Sequence, residues 1–239
     1  MTKILKISFY LILLVAISSC SGEIKEITEK YPDGSPKVVT YFIKKNDVKI
    51  KVREIGYYQN KNESYKGGFK DGVRAGKWEY WYENGKLFAS TEVTNSIATQ
   101  KWQILKPDQT PYYDESHQLA VVEIYPNGSP YHCIYSKPND ILRKELFFYP
   151  SYTIQMQGSS ANNLRQGNWN YWYENGNRWS EGYFIDGEND SIRNVWYENG
   201  NKRYEGFYKN GKEAGIWKFY DEKGILVKEV DYNKIKSQK

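Results

Sequence analysis

Apolar and polar residues alternate along much of the chain, and Asn-Gly or Asp-Gly dipeptides interrupt the alternation at regular intervals. In the stretch NWNYWYENG, which begins at Asn168, every second residue from Trp169 to Tyr173 is aromatic, so these rings share one face of a strand. Asn or Asp followed by Gly tolerates the positive φ angles of a two-residue type I′ hairpin. The sequence therefore predicts a string of β-hairpins.

The turn glycines repeat every 24 residues. Gly176, Gly200 and Gly224 follow one another at this spacing, and Gly128 lies two periods before Gly176. The missing position falls on Tyr152, in a degenerate copy of the repeat. Because an isolated hairpin is marginal in water, neighbouring units must bury each other's aromatic faces. We therefore expect an all-β fold, an elongated antiparallel sheet of stacked β-hairpin repeats with a period of 24.

The quality of the copies divides the chain into segments. The spacing between Gly85 and Gly128 is not a multiple of 24, so the register breaks between them. We expect a lipoprotein signal peptide at residues 1–19, a lipid tether at 20–30, N-terminal repeats at 31–93, an irregular segment at 94–120, C-terminal repeats at 121–232 and a disordered tail at 233–239.

The first residues have the features of an export signal. Lys3 and Lys6 flank the start of an apolar run, ISFYLILLVAI, that is too short to span a bilayer comfortably. The run ends in Ser18-Ser19-Cys20, which resembles the lipobox of bacterial lipoproteins, where cleavage leaves an N-terminal Cys that carries lipid. An uncleaved signal anchor is the alternative. We expect lipidation at Cys20, attachment to a membrane through that lipid, and a location in the bacterial envelope, at the outer membrane.

The amino-acid composition and net charge limit the kinds of partner that the protein can have. The chain has 239 residues, a formal net charge of +5, 23 Tyr and 8 Trp, so aromatic rings supply much of the apolar burial. A net charge this small argues little for nucleic acid, and we expect no nucleic-acid partner. With Cys20 lipidated, Cys133 has no disulfide partner, so packing and strand pairing must hold the fold.

No set of residues indicates catalysis. His117 and His132 have no acid at a recognisable triad spacing. Cys133 follows His132, and neighbours on a strand point to opposite faces, which favours a buried Cys133 beside a surface His132 over a pair of metal ligands. We expect a protein that is not an enzyme and that uses neither metal nor cofactor.

A second aromatic row lies opposite the main one. It occupies the position four residues before the turn glycine and consists of Trp81, Trp172, Trp196 and Tyr220. We favour a sheet packed on both faces, because large exposed apolar rows are rare on monomers. The alternative is that these rings are exposed and stack on sugars or cover a partner protein, and they form the candidate binding surface.

The repeated phrase resembles a known repeat. Its elements are Trp-x-Tyr-Trp-Tyr-Glu-Asn-Gly, then Ser-Glu-Gly-Tyr or Tyr-Glu-Gly-Phe, then Lys-Asn-Gly-Lys and Gly-x-Trp. They are similar to the MORN repeat variant of many bacterial lipoproteins and of the YwqK family of proposed antitoxins, strongly over most of residues 54–93 and 167–232. The resemblance implies a sheet of stacked hairpins that serves as a scaffold or interaction surface and carries no catalytic residues.

The expected function is that of a non-enzymatic envelope lipoprotein whose MORN-like repeats bind another protein or an envelope component. Two alternatives stay open. One is a glycan-binding surface protein that uses the second aromatic row. The other is an antitoxin-like component of a toxin–antitoxin system, which suits an exported chain only if the toxin acts in the envelope.

Overall fold

The computed structural model describes residues 22–95, 97–98 and 101–236. These residues form strands and one short helix, and every strand pair is antiparallel, which confirms the all-β fold of consecutive hairpins. The strands divide between two sheets. Among the described residues, no helix has the length and apolar character needed to cross a membrane. The predicted signal peptide at residues 1–19 and the predicted lipidation site Cys20 lie outside the described residues.

The first sheet follows chain order, and its last two short strands both pair with β6. Its strands are β1 (Ile24–Lys30), β2 (Pro36–Lys45), β3 (Val48–Tyr57), β4 (Glu63–Lys70), β5 (Val73–Trp81), β6 (Leu87–Thr94), β7 (Ile97–Ala98) and β8 (Gln103–Ile104). Strand β1 lies within the segment predicted as a tether, residues 20–30. This segment forms a strand although few of its side chains are apolar, because its backbone pairs along β2. Strands β7 and β8 lie within the predicted irregular segment, residues 94–120.

The second sheet also runs in chain order. Its strands are β9 (Gln118–Ile124), β10 (Pro130–Ser136), β11 (Arg143–Phe148), β12 (Ile154–Ala161), β13 (Leu164–Trp172), β14 (Arg178–Ile185), β15 (Glu188–Trp196), β16 (Lys202–Lys209), β17 (Lys212–Tyr220) and β18 (Leu226–Asp231). Helix α1 (Tyr232–Lys236) follows and overlaps the predicted tail, residues 233–239.

Two kinds of turn alternate along the sheets. At Asp186-Gly187 both residues have positive φ, 47° and 85°, as a type I′ hairpin requires. At the turn that follows Tyr173, only Gly176 has positive φ. There the Tyr173 N–H donates to the Asn177 carbonyl at 2.8 Å, which closes a longer loop, so the prediction of type I′ geometry is wrong for these turns.

Three turns of the 24-residue series place a residue other than glycine at the left-handed position. These residues are Lys61, Gln109 and Tyr152, with φ of 71°, 70° and 68°. Lys61 and Gln109 lie 24 residues before and after Gly85, so the irregular segment contains one more turn of the first series. Tyr152 occupies the position that the repeat predicts. The spacing departs from 24 at two places among these turns, between Gly34 and Lys61, which lie 27 residues apart, and between Gln109 and Gly128, which lie 19 residues apart.

A tyrosine before most of the longer turns bonds to the next repeat. The Tyr173 hydroxyl donates to the Trp196 carbonyl at 2.9 Å. The same bond joins Tyr58 to Trp81, Tyr82 to Leu105, Tyr125 to Phe148, Tyr149 to Trp172 and Tyr197 to Tyr220. The final turn of each sheet carries Lys106 or Asp221 in place of the tyrosine, so it has no phenolic hydroxyl to make this bond.

Each sheet has two chemically distinct faces. We call the face with Trp78 and Trp169 the first face, and the face with Trp81 and Trp172 the second face. The first-face indoles lie flat on a glycine of the neighbouring strand, since a Cβ added to Gly67 would meet the Trp78 ring at 2.0 Å. Only glycine leaves room for the ring at that point, which explains the repeated Gly after Glu or Lys in the sequence.

The two sheets pack with the first face of the first sheet on the second face of the second sheet. The shared core is formed by buried side chains from both sheets, among them Tyr80, Tyr82, Phe88, Cys133, Leu146, Phe148 and Tyr152. The second sheet uses only its early strands, β9 to β12, in this contact. Strands β13 to β18 continue beyond it with a smaller core of their own around Trp169, Tyr171 and Phe184.

Candidate functional site

The histidines do not gather acids into a cleft. His132 is only 13% exposed in its side chain, so the expectation of a surface histidine is wrong. Its ring stacks on Phe147 of the paired strand at 3.9 Å, and Nε2 hydrogen-bonds Glu145 Oε2 at 3.0 Å. Its neighbour Cys133 is fully buried on the other face, as the strand alternation predicts. Burial raises the pKa of the Cys133 thiol, so it does not behave as a reactive thiolate.

Glu145 lies between the imidazole of His132 and the hydroxyl of Ser160. The His132 hydrogen bond holds the pKa of Glu145 below its ordinary value, burial opposes this, and the bond from Ser160 lowers it further. The carboxylate separates the hydroxyl from the imidazole, so His132 is not placed to deprotonate Ser160. Within the described residues, no group of three or more His, Cys, Asp or Glu side chains could hold a metal ion.

The candidate binding row is half-buried. Its members lie on the second face and comprise Trp81, Trp172, Trp196 and Tyr220. Basic side chains cover parts of it, because Lys66 Nζ lies 4.7 Å from the Trp81 ring and the Arg178 guanidinium lies 5.7 Å from the Trp196 ring. The Tyr220 hydroxyl bonds the Glu205 carboxylate at 2.9 Å. The row is thus neither fully packed nor open to solvent.

The degenerate copy of the repeat shows what this row can do. Phe148 occupies the same position, four residues before Tyr152, and is fully buried. Its ring meets the edge of Phe88 from the first sheet, with centroids 4.9 Å apart and planes at 70°. A ring of the second face therefore serves here as a sheet-to-sheet contact.

A groove of about 760 Å³ lies between strands β1 to β4 and the turns of the second sheet. Tyr31, Tyr58 and Tyr125 form part of its wall, yet their hydroxyls already donate to backbone carbonyls. Its two carboxylates are also paired, since Glu54 accepts a bond from Tyr65 and pairs with Lys51, and Glu29 pairs with Lys37. The polar groups of the groove are therefore largely satisfied by the fold itself.

Three first-face residues form the seat on which the second sheet rests. Arg74 donates to the Asn127 carbonyl at 2.7 Å and to the Tyr80 hydroxyl at 2.9 Å. Phe88 is fully buried beneath Phe148. Burial raises the pKa of Tyr80 to about 12, although Arg74 acts against the shift. The seat thus combines an arginine, which binds the carbonyl of a turn in the second sheet, with the rings of Tyr80 and Phe88, which keep water out of the contact.

The C-terminal repeats have residues at the same three positions, but within the described residues no second sheet packs on them. Arg165, Tyr171 and Trp179 each follow their counterparts Arg74, Tyr80 and Phe88 by 91 residues. Trp179 is 41% exposed, whereas Phe88 is fully buried. The Arg165 guanidinium lies over the Trp169 ring at 4.7 Å and has no turn carbonyl bound to it within the described residues.

Arginines extend this surface across the next repeat. Arg193 occupies the repeat position of the first-face Trp, and its Nη1 is buried with no hydrogen-bond partner within the described part of the chain. The Arg203 guanidinium lies 5.6 Å from the Tyr197 ring. We call the surface formed by Arg165, Tyr171, Trp179, Arg193 and Arg203 the aromatic–arginine face.

Comparison with known proteins agrees with the repeat architecture. The model of the MORN repeat variant matches residues 74–95, 165–186, 191–210 and 214–234, so the chain contains four MORN variant repeats. No curated protein matches the chain. Among solved structures, the chain is similar to the crystal structure of TcdB2-TccC3-TEV, with 9% sequence identity and a TM-score of 0.22. That match covers 86% of this chain and 11% of the other.

Proposed function

We propose that the protein is a non-enzymatic scaffold of the bacterial envelope, tethered through a lipid on Cys20, and that it binds another protein through the aromatic–arginine face. The observation that carries the binding role is the contrast between Phe88 and Trp179. The two residues occupy one repeat position, yet Phe88 is fully buried beneath a second sheet and Trp179 is 41% exposed. An exposed Trp beside arginines is the composition typical of energetic centres of protein interfaces.

The proposed tether rests on a pattern in the sequence. A short apolar run precedes Ser18-Ser19-Cys20, and acyl chains on Cys20 would contribute roughly 0.8 kcal/mol for each buried CH₂. Metabolic labelling with a fatty-acid analogue tests this. We expect label on the wild type and on Cys133→Ala, and none on Cys20→Ala. Equal labelling of Cys20→Ala would show that lipid is attached elsewhere.

The binding role is tested by capture from solubilised membranes with the lipidated chain as bait. Trp179→Ser should lose the captured protein. Val48→Ser is the control, because Val48 is 62% exposed and lies in the first sheet, outside the aromatic–arginine face and the second-face row of the second sheet. If both variants capture the same proteins as the wild type, the aromatic–arginine face is not the binding surface.

The glycan alternative depends on open rings in the second-face row. Trp172 and Trp196 are half-buried, so a sugar could reach only part of each ring. Quenching of Trp fluorescence by envelope polysaccharides, lost in Trp172→Ala and Trp196→Ala, would favour it. The antitoxin-like alternative is favoured by no specific contact in the described residues.

A further inference from the structure

We propose that the partner seated on the aromatic–arginine face is a second copy of this chain, which covers it with its own second face. This inference rests on the proposed binding role and names the partner. The contact would repeat between two molecules the packing that joins the two sheets within one molecule.

The intramolecular contact has two halves. One half is a first-face ring three residues after a turn position, Phe88, which follows Gly85. The other half is a second-face ring four residues before a turn position, Phe148, which precedes Tyr152. The two rings meet edge to face with centroids 4.9 Å apart, and both are fully buried. The repeat therefore carries a matched pair of positions.

Both halves recur without their partners in the C-terminal repeats. Trp179 follows Gly176 by three residues and contacts Tyr171 on the first face at 5.6 Å. Trp196 occupies the second-face position of Phe148, and it is half-buried instead of fully buried. Trp179 and Trp196 belong to opposite faces of one sheet, so the two halves cannot meet within one chain. A second copy brings them together.

The second face offers more apolar surface beside Trp196. Strand pairing aligns a row of exposed side chains on strands β14 to β17. The row consists of Tyr183, Ile192, Phe207 and Ile216, which are between 39% and 60% exposed. A contiguous row of this kind marks an interaction surface in soluble proteins. It provides the area that a single pair of rings would lack.

The first face is rich in arginine, and the second face carries acids beside bases. The first face presents Arg165, Arg193 and Arg203. The second face presents one glutamate per repeat at Glu181, Glu205 and Glu229, at the same 24-residue spacing. Glu181 and Glu205 keep about a third of their side chains exposed although each pairs with a neighbouring base. Stacking one copy on the next places the arginine face over the glutamate row.

The proposed contact joins two different surfaces, so it is heterologous. A heterologous contact leaves one free surface of each kind on a dimer, and further copies can add. We therefore expect assemblies that grow with concentration, not a closed pair.

The test places a photoreactive benzophenone amino acid at position 179 of the full chain in the producing cells. We expect a cross-linked band at twice the chain mass, and mass spectrometry should map the second site to a peptide of β15 or β16 that contains Ile192, Trp196 or Phe207. The matched control carries the same probe at Val48, which is 62% exposed in the first sheet. It should give no such band.

Three outcomes are distinguishable. Cross-links to a second copy through second-face peptides support the inference. Cross-links from position 179 to a different protein only would overturn it and leave the proposed binding role standing. The absence of any cross-link from position 179 would overturn both the self-association and the binding role proposed for the aromatic–arginine face.

Sedimentation of the full chain in detergent gives an independent measurement. Trp179→Ser should weaken self-association by roughly tenfold or more, since loss of a central Trp is typically a large effect. Val48→Ser should leave it unchanged. A wild-type chain that stays monomeric at the highest concentration reached would overturn the inference.

Discussion

Tyr152 of the second sheet stacks on Phe88 of the first, with ring centroids 4.8 Å apart and planes only 7° from parallel. The same ring meets the edges of Tyr58 at 6.4 Å and Tyr80 at 6.1 Å. Tyr152 stands where most copies carry glycine, and its φ of 68° costs a residue with a Cβ about 1 to 2 kcal/mol. Burial of the ring offsets that strain. The copy that is degenerate in sequence is the copy that joins the sheets.

Replacement of Tyr152 by glycine should destabilise the protein by about 3 to 5 kcal/mol, the range for deleting a buried aromatic side chain. Because glycine adopts the positive φ without strain, the lost stability is due to removal of the ring and not to a change in the turn. Urea denaturation measures it. Tyr152→Phe keeps the ring and loses the hydrogen bonds of the hydroxyl, among them the bond from Asn127, so it should cost about 1 kcal/mol. A loss from Tyr152→Gly as small as that of Tyr152→Phe would contradict the role of the ring.

Replacement of Lys61 by glycine should stabilise the protein by about 0.5 to 1 kcal/mol. Lys61 is exposed and holds a φ of 71° at the position where the regular turns carry glycine. The gain is smaller than the full left-handed strain because glycine also gains freedom in the unfolded chain. Thermal or urea unfolding measures it. Lys61→Ala keeps the Cβ and should give no gain, and an equal gain from both would point to the loss of the lysine charge instead.

The sequence predicts the repeat better than it predicts the packing between sheets. The 24-residue spacing and the alternation around Trp169 are local features, and they give the strands and the faces. Which face covers which depends on contacts between distant repeats, and period and alternation do not encode those. The sequence does not predict the turns at Lys61 and Gln109, because a glycine is the signal for such a turn and both of these turns form without one.

The candidate site was only partly predictable for the same reason. The second-face row around Trp196 is visible in the sequence because its residues are large and regularly spaced. Arg165 and Trp179 are noticeable only once Arg74 and Phe88 are known to hold a second sheet. Their equal separation of 91 residues was the available signal. His132 was misplaced because its burial comes from Phe147 on a neighbouring strand, a pairing that alternation does not specify.

Replacement of Tyr173 by phenylalanine should lower the free energy of unfolding by about 0.5 to 1.5 kcal/mol. The substitution removes the bond from the hydroxyl to the Trp196 carbonyl, 2.9 Å long, and keeps the ring. Tyr183→Phe is the control, because that hydroxyl belongs to an exposed side chain and has no such bond within the described residues. Chemical denaturation of the two variants measures the difference. Equal stabilities would mean that the repeated tyrosine bond adds nothing beyond the bonds to water that it replaces.

Replacement of Glu145 by glutamine should destabilise the protein near neutral pH by about 1 to 3 kcal/mol and should matter less in acid. The His132 hydrogen bond, ahead of the Ser160 bond and against burial, keeps the pKa of Glu145 lower in the folded chain than its ordinary value of 4.5. The unfolded chain therefore takes up this proton first as the pH falls. The stabilisation is fully present above the unfolded pKa and is lost as the pH falls through the folded pKa.

Unfolding free energies of the wild type and Glu145→Gln, measured from about pH 7 to about pH 3, should thus converge below about pH 4.5. The same comparison in a His132→Leu background separates the cause. Without the imidazole the principal hydrogen bond that lowers the pKa is gone, so most of the pH dependence of the difference should disappear. If the difference is as steep without His132 as with it, the lowered pKa has another origin, and Ser160→Ala in the same series would show whether the hydroxyl supplies it.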